Sequence, residues 1–352
     1  YHVPLSWCAE APSDEMWRRG SLEDLFKVIH EGTLGCDLRF RVRRDGFIWF
    51  DCNKWDPGTH TVIPGHRGIP GRKVPQEIIE AEKLAEQRAH SRAMLLNAYQ
   101  LCLNSAHAFV KSRSTSLGSP VQSTYLVHLT DFSNPISLLY ASSNEPYCIY
   151  VNNAVNSVAK RVRTAASARR LIEHEVVTYS FDLLGQIMKC KYESALKITE
   201  MLYWAHHRYS ENAFSDSLIL SWAVCEKLLN HLWSDFLRTK KSIVDGSERM
   251  NKDRIKKLEG RDFTASTISE ILELVGIIDI KMFSGIDNAR RKRNAWLHSL
   301  DAIGDSDASN ALLTTTELFK VVTGVALRPS ISRTMPGTGG VPRHLYVFKD
   351  EC

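Results

Sequence analysis

The side chains best suited to chemistry in this chain stand close together in Arg293-Asn-Ala-Trp-Leu-His298. An imidazole takes or gives a proton near neutral pH, so His298 fits the role of general acid or base. Arg293 offers a planar fork of donors that matches phosphate oxygens as negative charge builds on them. Asn294 stands one helical turn before His298, where an amide can hold the imidazole or the scissile phosphate. Together these groups suit RNA cleavage by attack of the 2′-hydroxyl on the adjacent phosphate, a reaction that needs no metal and no cofactor. Arg290, Arg291 and Lys292 directly precede the set and are expected to attract phosphate independently of base sequence.

An Arg followed five positions later by a His is expected roughly once by chance in a chain of this composition. A second match, Arg169-Arg-Leu-Ile-Glu-His174, is present and is read as the decoy. Three features separate the two. The Asn after Arg293 lowers the chance expectation to about a few per cent. The Arg293 motif falls late on a helix within a run of helices. Upstream lies a further helical stretch, Ser221-Trp-Ala-Val-Cys-Glu-Lys-Leu-Leu.

That combination, over roughly Lys189 to Ala326, resembles the HEPN family. An Arg-Asn-x-x-x-His motif there sits on a late helix, with an earlier Trp- and Glu-bearing helix beside it. The resemblance implies an antiparallel helical bundle, a metal-independent endoribonuclease leaving 2′,3′-cyclic phosphate ends, and a homodimer that pairs through the motif helix. It also implies a setting in antiviral defence or toxin systems. Glu226 becomes a supporting residue, although an ordinary ion-pair partner in the bundle is the plainer role for it. The alternative is a non-catalytic HEPN module that binds RNA or a partner chain. A DNA-binding regulator finds no helix-turn-helix signal here.

Helical geometry bears on the motif separately. At about 100° per residue, Ala289, Trp296, Leu300 and Ile303 form one apolar stripe, with Arg293 inside it, while Arg291, Asn294 and His298 share the far side. A guanidinium among apolar neighbours is costly unless it is paired, and Glu226 or a phosphate would serve.

The elements carrying these residues follow from periodicity. Tyr192, Leu196, Thr199, Leu202, Tyr203 and His206 define one stripe, and Leu218, Trp222, Cys225, Leu228, Leu229, Leu232 and Phe236 a second. A short helix is expected over Ile268 to Val275. Gly285 is expected to open a fourth helix that Gly304 ends, and Asp305 to cap a fifth running to about Gly324. Short connections favour antiparallel neighbours.

Residues 1–185 form a mixed α+β region with no recognised family, read as a regulatory or sensing part and a possible site for a protein partner. Leu38 to Arg43 alternates apolar and basic residues and is followed by Phe47 to Phe50, which predicts a hairpin whose aromatics serve the core. Pro75 to Val110 predicts a helix about 50 Å long, which calls for a break or a bundle partner. A linker follows Ser112, then β-like runs at Thr124 to Leu129 and Tyr147 to Val151, then a helical stretch from Asn153 to Leu184. Lys160, Arg161, Arg163, Arg169 and Arg170 read first as a solvated face and second as an RNA guide. Cys36, Cys52, His60 and His66 lack the compact pair of a zinc site. The helical domain is expected over 186–327, and residues 328–352 read as a loosely held extension.

The composition frames these readings. In 352 residues, 43% are hydrophobic and 24% charged, the balance of a folded protein with room for about two domains. A net charge of +5 permits an anionic partner without demanding one. The eight scattered cysteines and the lack of a long apolar run lead to the expectation of a reduced, cytoplasmic protein off the membrane. With Tyr1 rather than Met first, a trimmed or truncated chain is expected.

Overall fold

The computed structural model describes residues 6–8, 27–44, 48–52, 76–113, 170–239, 243–244, 247–248, 250–260, 262–329, 332–335 and 343–346. The described chain is mainly helical, with eight helices and a small N-terminal antiparallel sheet. It divides into two compact units, Tyr1–Lys189 and Cys190–Cys352. None of the described helices is long and apolar enough to cross a membrane.

In the first unit, β1 (Ser6–Cys8) pairs in parallel with β5 (Arg170–Ile172), while β2 (Val28–Thr33), β3 (Arg39–Arg43) and β4 (Ile48–Asp51) form the antiparallel sheet. The alternation in β3 buries Phe40 and Val42 and turns Arg39 and Arg41 outward. On that outer face each arginine meets a carboxylate opposite it in register: Arg39 with Asp51 at 2.9 Å, and Arg41 with Glu31 at 3.0 Å. The predicted hairpin is therefore present, with β2 added as a third strand.

The buried face rests on two helices, α1 (Gln76–Arg113) and α2 (His174–Lys189). Phe40 stacks on Phe181 at 3.7 Å between ring centroids, and Tyr99 packs on Phe181 at 4.8 Å. The Ser180 hydroxyl donates to the Tyr99 oxygen at 3.2 Å. α1 runs unbroken through 38 residues and has α2 as its neighbour, so of the two expected solutions the bundle partner applies. The helical stretch expected up to Leu184 differs in its bounds. Arg170–Ile172 is extended and paired, so α2 begins only at His174 and continues to Lys189. The β-like runs near 124 and 147, the basic positions from 160 to 169, most of the linker after Ser112, and His60 and His66 lie outside the described residues. No His, Cys, Asp and Glu group able to hold a metal occurs among the described residues.

The second unit is built around α4 (Phe214–Thr239), which is touched by α3 (Ala195–Ser210), α6 (Ala265–Leu274), α7 (Ile280–Ser299) and α8 (Asp305–Thr323). α3 reverses into α4 through Asn212, whose positive φ of 63° suits an asparagine. Leu218, Trp222, Cys225, Leu228 and Leu229 of α4 are buried, as are Ile198 and Leu202 of α3 and Leu312, Leu318 and Phe319 of α8. The Thr315 hydroxyl donates to the Ser221 carbonyl at 3.2 Å and fixes the level at which α8 crosses α4. Between α4 and α6 come a two-residue hairpin, β6 (Ile243–Val244) with β7 (Ser247–Glu248), and a short helix α5 (Lys252–Leu258). A last hairpin, β8 (Ser332–Met335) with β9 (Arg343–Tyr346), follows α8.

The helix carrying the motif starts five residues before Gly285. Asp279 caps it, its carboxylate accepting from the Met282 N–H at 2.7 Å. Gly285 lies inside the helix and serves packing: a Cβ there would fall 2.4 Å from the Thr314 hydroxyl oxygen of α8. The helix ends at Ser299, ahead of Gly304, which instead precedes α8 and donates its N–H to the Asp307 carboxylate at 3.3 Å.

Candidate functional site

α7 runs antiparallel to α8. Gly285 meets Thr314 near one end, and Lys292 reaches Asp307 at 3.1 Å near the other. Only Ile286 and Ala289 are buried on α7, so its C-terminal half lies on the surface of the unit. The expected stripe holds at Ala289 and Ile303, fades at half-buried Trp296, and fails at Leu300, which is 79% exposed. The cause is local. Leu300 adopts a left-handed conformation with φ of 54°, which ends the helical period before the stripe reaches it.

His298 is exposed in the last turn, while Arg293 and Asn294 are half-buried. Arg293 does not turn to Glu226, which is exposed on α4. Its Nη1 donates to the Asn294 side-chain oxygen at 2.9 Å. Asn294 thus engages one N–H of the guanidinium and keeps its own amide N–H groups as donors, while Arg293 retains further N–H groups for an anion. Asn294 is coupled to Arg293 rather than to the imidazole.

The neighbouring cations are less available than the sequence led one to expect. Arg290 and Arg291 both bind Asp287, at 2.7 Å each, and Lys292 binds Asp307. The hydrogen bond from Arg290, helped by the Arg291 charge, holds the Asp287 carboxyl below the ordinary range against the opposing effect of burial. Four cations from Arg290 to Arg293 therefore stand against two carboxylates. The pairing with Asp287 is readable in sequence, since it stands three and four residues before its partners. Asp307 is brought in only by the α7–α8 pairing.

Comparison with protein-family models, curated proteins and solved structures gives no match to this chain.

The decoy comes apart at the level of secondary structure. Of its described residues, Arg170–Ile172 form β5 and α2 begins only at His174, which packs edge-on to His30 at 5.6 Å. Among the nucleophilic side chains of the second unit, Cys225 is buried in α4, and burial with the nearby Glu226 charge pushes its thiol up to about 12, which keeps it inert.

Proposed function

We propose that the second unit is a HEPN-type, metal-independent endoribonuclease, with Arg293, Asn294 and His298 at its site and Glu226 in the supporting helix. The observation that carries this reading is the coupled Arg293–Asn294 pair one turn from an exposed His298, all at the surface end of one helix. In the reaction the 2′-hydroxyl loses its proton as its oxygen bonds to phosphorus, and the 5′-oxygen leaves with a proton. His298 handles one of these protons, Arg293 binds the phosphate oxygens as charge accumulates, and Asn294 holds the guanidinium in place. The products carry 2′,3′-cyclic phosphate and 5′-hydroxyl ends. Two copies of α7 facing each other about a two-fold axis would turn the open surface into a cleft that holds a single RNA strand. An antiviral or toxin role, with residues 1–185 as the regulatory part that a protein partner addresses in the cytoplasm, accompanies this reading.

A second reading, a non-catalytic RNA-binding or interaction module, is favoured by one observation: Arg290, Arg291 and Lys292 are already paired, as on a structural surface.

Incubation with labelled RNA separates the two. Cleavage is expected to survive EDTA and to stop on RNA with a single 2′-deoxy sugar at the cut. His298→Ala and Arg293→Ala are expected to lose about 100-fold or more of the rate, and His174→Ala to stay within about a few-fold. Cutting of the deoxy substrate or full dependence on a divalent ion would sink the mechanism, and binding without cleavage would favour the second reading.

A further inference from the structure

α5 contributes no buried side chain to the unit, yet it is pinned firmly. Asn251 caps its start by accepting from the Arg254 N–H at 2.9 Å. Its end is held from α4, where the Trp233 indole donates to the Leu258 carbonyl at 2.9 Å and the Ser234 hydroxyl to the Glu259 carboxylate at 2.9 Å. Phe263 and Phe236 stack on Trp233, at 5.6 and 5.7 Å, and anchor the junction. The helix therefore adds little core, and what it presents is charge. Lys252, Arg254, Lys256 and Lys257 are exposed, and the three lysines make no ion pair among the described residues. Asp253 is the one acid within the helix, and Glu259 follows at its end, where it accepts from Ser234.

Its position follows from contacts within the unit. Lys292 of α7 binds Asp307 at the start of α8, Tyr209 bonds to the neighbouring Asp305, and Tyr209 packs on Phe214 at the start of α4. His298 therefore lies toward the N-terminal end of α4. Trp233, which holds α5, stands about five turns further along α4, roughly 30 Å away.

We propose that α5 is a second phosphate-binding surface, which grips the backbone of an RNA strand remote from His298. This rests on the ribonuclease reading and deepens it. Around the motif, Asp287 and Asp307 hold three of the four cations in ion pairs, so those side chains are less open to a phosphate. On α5 the lysines make no ion pair among the described residues, and a long strand can use both ends of the bundle. A membrane surface fits poorly, because the only apolar side chains of α5 are Ile255 and Leu258, too few for an interfacial face.

The test is binding of the full chain to uncleavable 2′-deoxy-substituted RNA, one too short to bridge the two ends and one several times longer, across a salt series. The wild type is expected to bind the long RNA more tightly. K252A/K256A/K257A is expected to weaken long-RNA binding about ten-fold at low salt and to lower the salt slope by about 2, with the short RNA affected far less. Replacing the same lysines by arginine should restore the wild-type pattern, and circular dichroism checks that each variant is folded. Equal affinity and slope for the triple variant, equal losses on short and long RNA, or capture of anionic phosphatidylserine vesicles in preference to RNA would each overturn the proposal. Failure of the two readings is distinguishable: α5-dependent binding without cleavage of ordinary RNA defeats the ribonuclease, whereas cleavage with an unaltered triple variant defeats the α5 surface.

Discussion

A carboxylate one turn before two arginines changes what those arginines can do, and Asp287 is the side chain on which the charge of α7 depends. It accepts from Arg290 and pairs with Arg291, and its carboxyl is held below the ordinary range. Because the folded-state value is the lower one, the stability it contributes is full above the ordinary carboxylate value of about 3.9 and is lost as pH falls through the depressed value. Asp287→Asn is expected to cost about 1 kcal/mol at neutral pH, with the difference from wild type shrinking toward zero in acid. Urea unfolding at a series of pH values reads this, and a gap that persists unchanged at the acid end would show that the charge is not responsible. The motif residues themselves were legible in sequence because they are contiguous. Of the two partners expected for Arg293, Glu226 or a phosphate, Glu226 is exposed on another helix, and an adjacent amide contacts the guanidinium instead. Partner choice depends on side-chain reach in three dimensions, which spacing alone does not supply.

At the scale of elements, periodicity located the longer helices, while their ends were harder to place and short α5 carries no apolar stripe to reveal it. Gly285 looks like punctuation in a linear reading, yet it is the point where α7 closes on α8, with room for a hydrogen and no more before Thr314. Leu300 shows the converse, a left-handed position held by a leucine where glycine is the usual signal. Gly285→Ala sets two effects against each other. Better helix propensity is worth about 1 kcal/mol, and the forced contact with Thr314 costs about 1–3 kcal/mol. The single variant is expected to be less stable than wild type, and Gly285→Ala with Thr314→Ala to recover the loss by removing the clashing hydroxyl and methyl. A denaturant double-mutant cycle measures this coupling. Additive effects would mean that the α7–α8 contact is loose enough to accept a methyl group.

On the scale of the whole molecule, the second unit leaves unburied what a partner copy could cover. Leu297 is 44% and Leu300 79% exposed, on either side of His298 and Ser299 at the end of α7. Leu300 was expected to face its own bundle; turned outward, it adds an apolar contact to the dimer proposed for this helix. Two copies meeting there would bury leucines near the axis and bring both Arg293, Asn294 and His298 sets into one cleft, with the net positive charge of each helix opposing the approach. Added salt should therefore strengthen the RNA-free dimer up to the point where charge is screened. Leu300→Asn is the cleaner probe, since asparagine tolerates the left-handed conformation better than leucine, adds no charge to the helix, and should leave the fold intact. It is expected to shift the protein toward monomer and to lower specific activity in parallel, as light scattering coupled to size exclusion and a cleavage assay across protein concentrations would read. Wild-type activity that stays constant per chain on dilution into a strictly monomeric range would rule out a site shared between copies, and would leave each α7 to act as an open surface on its own.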